Sequence, residues 1–461
     1  MRTQPVPPDT LIIAADIGKN VHWFGCYDSR LTELVAPRKV RSHLPGFQEF
    51  TAIVDPLLAS GRFRSAVLGH EVTGVYHEPW AWQIQEHYRR WLAPDAACPL
   101  TYRWLNPLLT KKRQDELSVR PRTTDRTAVY AVAACLADGL GHPAHLCTGG
   151  DAHLRELVRT YEQLHRQQRH LARQLSPQID RLWPGAIADV KQFRAAHPEL
   201  DPPLPIVRTK ALDRDRLATL LLHCPNPHEA LDLGPEGLQA LLREHVGRAG
   251  PKTVQAILTM LRQAPLPPKS VAGFYAQRLQ ADYQAYADLG TRLATLEAAI
   301  AALVATTDAH FLDSVPGISA LLAARYLVAI GQAAYYQTAA QIWALAGYDL
   351  VTAESGDTKR LGHITKRGSP AFRDTLFQIG YHTASQCPPI GQTFLDARER
   401  GLDEVLATIH AAHKANRLCF TLLTERRAYQ PVPAAEAEQF RTRWQRFHQK
   451  HRRCRPQRIA A

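Results

Sequence analysis

The chain has 461 residues, of which 45% are apolar and 21% charged, and it carries a formal net charge of +13. That length exceeds what one hydrophobic core organises, so two or three units are expected, and the balance of residues excludes a disordered chain. The surplus of Lys and Arg points to a polyanionic partner, because each cation set against a phosphate releases a condensed counterion. With no run of eighteen apolar residues and no signal-like start in MRTQPVPPDT, the expectation is a cytoplasmic protein with no membrane partner.

The first unit spans 1–150 and reads as α/β. LIIAA at 11–15 is a short apolar strand ending at Asp16, and IGKN turns it into VHWFGCYD, a hairpin. SAVLGHE at 65–71 is a second strand candidate, ending at Glu71. GFQEFTAIVDPLLAS and HEPWAWQIQEHYRRWL have helical character. RPRTTD then leads into the helical TAVYAVAACLADG, with Thr124 or Asp125 as the cap.

From 151 to 305 long helices are expected. Leu154, Leu157, Val158, Tyr161, Leu164, Leu171 and Leu175 form one helical stripe, and a second long helix runs over about 274–305. The two suit an antiparallel coiled coil around a Pro-rich helical insert at 184–268, whose role is dimerisation or spacing; a plain helical bundle is the alternative. A third, mostly helical unit covers 306–430. It opens on a turn at Val315-Pro316-Gly317-Ile318, which is either a helix–hairpin–helix whose amides approach a phosphate or an ordinary turn between helices. Residues 431–461 read as a basic tail with interleaved aromatics.

The eight cysteines, at 26, 98, 135, 147, 224, 387, 419 and 454, form no CxxC pair and read as buried small hydrophobes in a reducing compartment rather than zinc ligands. The 21 histidines are dispersed. Asp16, Glu71 and Asp125 stand at two strand ends and a helix start, where carboxylates can converge on a hard cation. Taken singly, an acid in such a place is usually a cap or a solvated turn acid.

Several strings occur in a telling order: AADIGKNVH, GHEVTG, the NP of LNPLL, TTDRTAVYAVAACLADG, VPGIS, ALAGYDLVTAESGD and HITKRGSPAFRDTLFQIGY. Together they resemble the DEDD-type insertion-sequence transposases related to the Piv invertases, a group of RNA-guided recombinases. The resemblance covers nearly the whole chain. It implies an RNase H-like (RuvC-like) N-terminal domain, a coiled-coil middle and a helical C-terminal transposase domain. It also implies Mg2+ or Mn2+ as cofactor, DNA and a structured guide RNA as partners, a homodimer or homotetramer, and association with the nucleoid.

Carried over by position, Asp16, Glu71 and Asp125 match the first three acids of the family tetrad, as catalytic residues and metal ligands. The fourth acid would stand three residues after Asp125, where this chain has Ala128, and the Lys that precedes the family's Thr-Asp is Thr123. Neither Asp115 nor Asp138 has a compensating spacing. Ser355, before Gly356, resembles the nucleophile; its hydroxyl needs a base or metal, which the acids of the same or a partner subunit can supply. Lys359, Arg360, Lys366 and Arg367 are candidates for holding scissile phosphates, or are solvated turn charges. The implied activity is DNA cleavage and strand exchange by a metal-assisted serine. Two alternatives stand beside it: an impaired nucleic-acid-binding homologue, favoured by Ala128, and a junction nuclease that uses water.

Overall fold

The computed structural model describes residues 4–453 apart from 73, 118–123, 145–148, 202–204, 208–211, 213–214 and 356–357, and omits the side chains of 117, 350–363 and 450–453. The chain divides into two compact units, Met1–Ala152 with Ile330–Ile342 and His153–Ala329 with Trp343–Ala461.

The first unit is a mixed α/β domain. Its strands are β1 (Thr10–Ile17), β2 (Val21–Tyr27), β3 (Glu33–Arg41), β4 (Ser65–Glu71), β5 (Leu100–Leu105) and the short β6 (His142–Pro143), in the spatial order β3-β2-β1-β4-β5-β6. β1 pairs antiparallel with β2 and parallel with β4, and β4 pairs parallel with β5. The order and directions are consistent with the RNase H-like architecture expected. β1 is central and covered on both faces, which is why TLIIAADI is apolar almost throughout instead of alternating. It extends to Ile17, so Asp16 lies within the strand and not just beyond it. β3 and β5 were not anticipated. β3, with Pro37, Arg38, Lys39 and Arg41, pairs with β2 alone and has the charged composition of an edge strand.

The helices of this unit are α1 (Leu44–Ala59), α2 (Glu78–His87), α3 (Pro107–Leu117) and α4 (Asp125–Ala137). Strand parity divides the core. Leu11, Ile13, Ala15 and Ile17 meet Phe47 and Phe50 of α1 and Trp80 of α2, whereas Ile12 and Ala14 meet Val129, Val132 and Leu136 of α4. α4 begins with a capping box in which Thr124 and Thr127 bond each other's backbone. It sits close to the sheet because β4 has glycine beneath it: a Cβ on Gly69 would lie 2.6 Å from Leu136 Cδ2 and 3.0 Å from the Arg103 carbonyl.

The second unit is largely helical. α5 (Gly149–Leu182, its first turn in the first unit) and α11 (Lys269–Val304) run antiparallel. Tyr161 Oη donates to Glu297 Oε1 at 2.7 Å, Gln168 Nε2 to the Tyr286 carbonyl at 3.5 Å, and Gln178 Nε2 to Asp282 Oδ2 at 2.7 Å. Between them lie α6 (Val190–Ala196), α7 (Asp215–His223), α8 (Pro227–Asp232), α9 (Gly234–Val246) and α10 (Pro251–Gln263). The apolar faces of α7–α10 close with α5 and α11 around Trp183, Leu220, Leu242, Leu258 and Tyr283.

α12 (Ala309–Asp313) and α13 (Ala320–Ile330) flank the 315–318 turn, followed by α14 (Ala339–Leu345), α15 (Pro370–Gln386), α16 (Pro388–Glu399), α17 (Glu404–Glu425) and α18 (Ala434–Arg453). In the turn Gly317 has φ +95°, and a Cβ there would lie 2.7 Å from the His382 carbonyl, so the turn is seated on α15. An antiparallel hairpin, β7 (Leu350–Ser355) and β8 (Thr358–Ile364), not anticipated from the sequence, interrupts the helices of this mostly helical unit. The segment expected as a basic tail is helical through Arg453. Phe440 of α18 is 3% exposed, Trp444 packs 5.6 Å from Phe394, and Arg443 pairs with Asp396 at 2.7 Å and Glu399 at 2.8 Å on α16. Cys147 and residues 454–461, with Cys454, lie outside the described residues; the six described cysteines are free and buried. No described helix is long and apolar enough to cross a membrane.

Gly69→Ala should lower the free energy of unfolding by about 1–3 kcal/mol, because the methyl meets a buried leucine and a strand carbonyl that cannot both retreat. Chemical denaturation of the two proteins checks this; an unchanged midpoint would mean that α4 is not seated this closely.

Candidate active site

The same parity that splits the core brings the acids to one face. Asp16 follows Ile12 and Ala14 in alternation, and Glu71 follows Val67 and Gly69, so both side chains belong to the α4 side of the sheet. The parallel register sets Ala15 against His70 and therefore carries Asp16 alongside Glu71 at the carboxyl ends of β1 and β4. Asp125 is the first residue of α4. Their charges interact. The Asp16 carboxyl is pushed up to about 6, first by burial, then by the negative charges of Glu71 and Asp125.

The opposite face of β4 is neutral. His70 is fully buried, with Nε2 2.5 Å from Tyr102 Oη and Nδ1 2.8 Å from the Glu71 carbonyl, and burial pushes it down to about 4. His22 of β2, edge-on to Trp80 at 4.5 Å, is likewise lowered to about 4 by burial. These imidazoles therefore bring no positive charge to the acids at neutral pH.

A set of oxygen donors with unbalanced negative charge has the chemistry of a site for a hard divalent cation such as Mg2+ or Mn2+. Asp16, Glu71 and Asp125 are the residues that would hold it. Their convergence is incomplete: among the described residues, no group of three or more His, Cys, Asp or Glu is placed to hold a metal ion. One Glu71 oxygen, Oε1, accepts a short hydrogen bond from the Thr110 hydroxyl. Ala128 stands one turn from Asp125 and offers no ligand. Asp138 caps the far end of α4, about 20 Å along its axis from Asp125, and is ion-paired with Arg113. Thr123 lies outside the described residues.

In the second unit, Ser355 ends β7 opposite Thr358 in the hairpin, and Lys359 and Arg360 follow on β8; the side chains of all three lie outside the described residues. Lys366 and Arg367 come just after the hairpin and are exposed. Lys366 has φ +52°, a left-handed conformation unusual for a residue with a Cβ, and its amide donates to the Gly347 carbonyl at 3.0 Å. The hairpin's end is tied back by Thr365, whose hydroxyl donates to Asp349 Oδ1 at 2.6 Å.

The sequence reading missed Thr110, Gln114 and Thr127, the polar residues around the acids. Their one available signal was Asn-Pro at 106–107, a helix start: Asn106 Oδ1 accepts the Leu108 amide at 2.9 Å, which fixes where α3 begins and hence where Thr110 falls.

Residues 309–396 match the family described as Transposase IS116/IS110/IS902 family. No curated protein shows significant similarity to the chain. The matched stretch runs from α12 through the 315–318 turn, the β7–β8 hairpin and α15 into α16.

The raised Asp16 carboxyl fixes the sign of a pH effect. Below about pH 4 it is protonated in folded and unfolded chains alike, and stability is lost as pH rises from about 4 through about 6, where only the folded chain resists ionisation. A shift of that size is worth at most about 3 kcal/mol, which solvent at this partly exposed group reduces to about 1–2 kcal/mol. In metal-free buffer, Asp16→Asn should therefore stabilise the protein at pH 7.5 by about 1–2 kcal/mol, with the gain vanishing near pH 4. Equal effects at both pH values in chemical denaturation would mean that the three acids share no field.

Proposed function

We propose that the chain is an insertion-sequence transposase that cuts and rejoins DNA, with Ser355 as nucleophile and Asp16, Glu71 and Asp125 as its acidic centre. The observation that carries this reading is the match of 309–396 to a transposase family, a stretch that contains Ser355, Lys359, Arg360, Lys366 and Arg367. The mutual repulsion of the three acids supports a centre built for positive charge. A divalent ion there would withdraw charge from a phosphodiester oxygen and ease loss of a hydroxyl proton.

On this reading, attack by the Ser355 hydroxyl on a DNA phosphate forms a phosphoserine ester and releases a sugar hydroxyl. The bond's energy is conserved for rejoining to a second strand. The exposed Lys366 and Arg367 hold backbone phosphates and discharge their repulsion. A structured guide RNA belongs to the same proposal, with the chain's +13 charge as its support, and so does a dimer or tetramer that brings two DNA strands together. A second reading, favoured by Ala128, is a homologue that binds nucleic acid and no longer cuts; Ala128→Asp raises cleavage if a missing ligand is the only defect.

Denaturing electrophoresis of labelled DNA tests the nucleophile. Wild type should leave protein covalently attached to a DNA end, and Ser355→Ala and Asp16→Ala should each abolish the adduct while binding persists. Free cut ends that survive in Ser355→Ala would make water the nucleophile and the chain a junction-resolving nuclease. Binding itself should weaken steeply with salt, by about 10³-fold or more between 50 and 200 mM if six or more phosphates are contacted; a flat affinity would remove the polyanion partner.

A further inference from the structure

We infer that α3 is the positioning element of the acidic centre, with Thr110 and Gln114 holding Glu71 and the start of α4 in one fixed relation. This rests on the reading of Asp16, Glu71 and Asp125 as a cation-binding centre and adds residues that neither the family resemblance nor the acids themselves identify.

Thr110 is 2% exposed, and its hydroxyl has two acceptors in reach, the Pro107 carbonyl at 3.1 Å and the closer Glu71 Oε1. A hydroxyl carries one proton, and a bond to a carboxylate is the stronger use of it, so Thr110 donates to Glu71. Glu71 is thereby held in one rotamer, with Oε1 committed and Oε2 left for another partner. One helical turn on, Gln114 Nε2 donates to Thr127 Oγ1 at 3.1 Å. That hydroxyl donates in turn to the Thr124 carbonyl at 2.8 Å and accepts the Thr124 amide at 3.0 Å. Gln114 therefore grips the capping box from which Asp125 emerges. Between the two, Arg113 pairs with Asp138 at the other end of α4.

Thr110 and Gln114 are four residues apart and so lie on one face of α3. A rotation or slide of α3 would move Glu71 and the α4 cap together. In a chain with Ala128 one turn beyond Asp125, no second carboxylate on that turn shares a ligand with Glu71. The link between the β4 and α4 acids then runs through neutral hydrogen bonds of α3. Outer groups of this kind typically change metal affinity by tenfold or more when removed.

The test is Mn2+ binding by the full-length chain, followed by electron paramagnetic resonance of free Mn2+, with thermal unfolding as the control for folding. Wild type should bind and Asp16→Asn should not. Thr110→Val, which keeps shape and removes the hydroxyl, should weaken binding about tenfold, whereas Thr110→Ser should stay within about twofold of wild type because the donor remains. Gln114→Met, at a half-buried side chain, should weaken binding without loss of fold and keeps the question open to test if Thr110→Val folds poorly. Asp16-dependent binding that neither Thr110→Val nor Gln114→Met alters would overturn the role of α3 alone. An equal loss in Thr110→Ser and Thr110→Val would also overturn it, since packing and not the hydroxyl would then be responsible. A wild type that binds no Mn2+ would remove the cation-binding centre and the positioning role together.

Discussion

The close seating of α4 on the sheet is the constraint from which the acidic centre follows. Leu136 rests where a side chain on residue 69 would stand, and Ala14 on the neighbouring strand is similarly small. Small residues at the contact let the helix approach until its apolar stripe of Val129, Val132 and Leu136 is buried. The position of Asp125 is then set by packing that occurs one to three turns away from it. Asp16 and Glu71 come to the same side because the strands alternate, so three acids from three elements come within reach of one another's charge without any of them being selected by its own neighbours in sequence.

That meeting is unfavourable on its own terms. A half-buried carboxyl raised to about 6 by burial and by two neighbouring charges is destabilised in its ionised form at neutral pH. The buried His70 and His22 do not relieve it, since desolvation holds both neutral. The fold relieves it in part with neutral donors, of which the Thr110 hydroxyl is the clearest. Negative charge kept in place by neutral hydrogen bonds suits the cation-binding centre proposed for these acids.

The C-terminal half is organised by helix packing around an exception. α15 and α17 cross so closely at Gly380 that a Cβ there would lie 2.7 Å from the Thr408 carbonyl, and Tyr326 and Asn416 are joined inside this layer by a 2.9 Å hydrogen bond. The β7–β8 hairpin projects from this scaffold, and its base is tied by Thr365 and Arg373, the latter donating to the Ala346 carbonyl at 2.9 Å. Ser355 thus belongs to a hairpin whose base is held to the helical layer by these hydrogen bonds. α18, in the segment expected as a basic tail, packs instead on α16: Phe440 is buried, Trp444 and Phe447 are half-buried, and Arg443 is paired with two acids.

The sequence by itself determined the elements whose local signals are strong. The IGKN turn and its two strands, the strand 65–71, the helix start at 124–125 and the two long helices could all be read from apolar periodicity and capping residues, because those preferences act within a few residues. It also offered Asp16 and Glu71, each closing an apolar run, and Asp125 at a helix start as candidates, to which the family resemblance added their roles. Tertiary structure alone decided that these acids lie on one face and feel one another, because that depends on the β1–β4 register and on how closely Gly69 admits α4. It alone decided the roles of Thr110 and Gln114, whose bonds span 39 and 13 residues. Such contacts leave no local pattern in the chain, since each exists only once α3 has been packed against strand and helix.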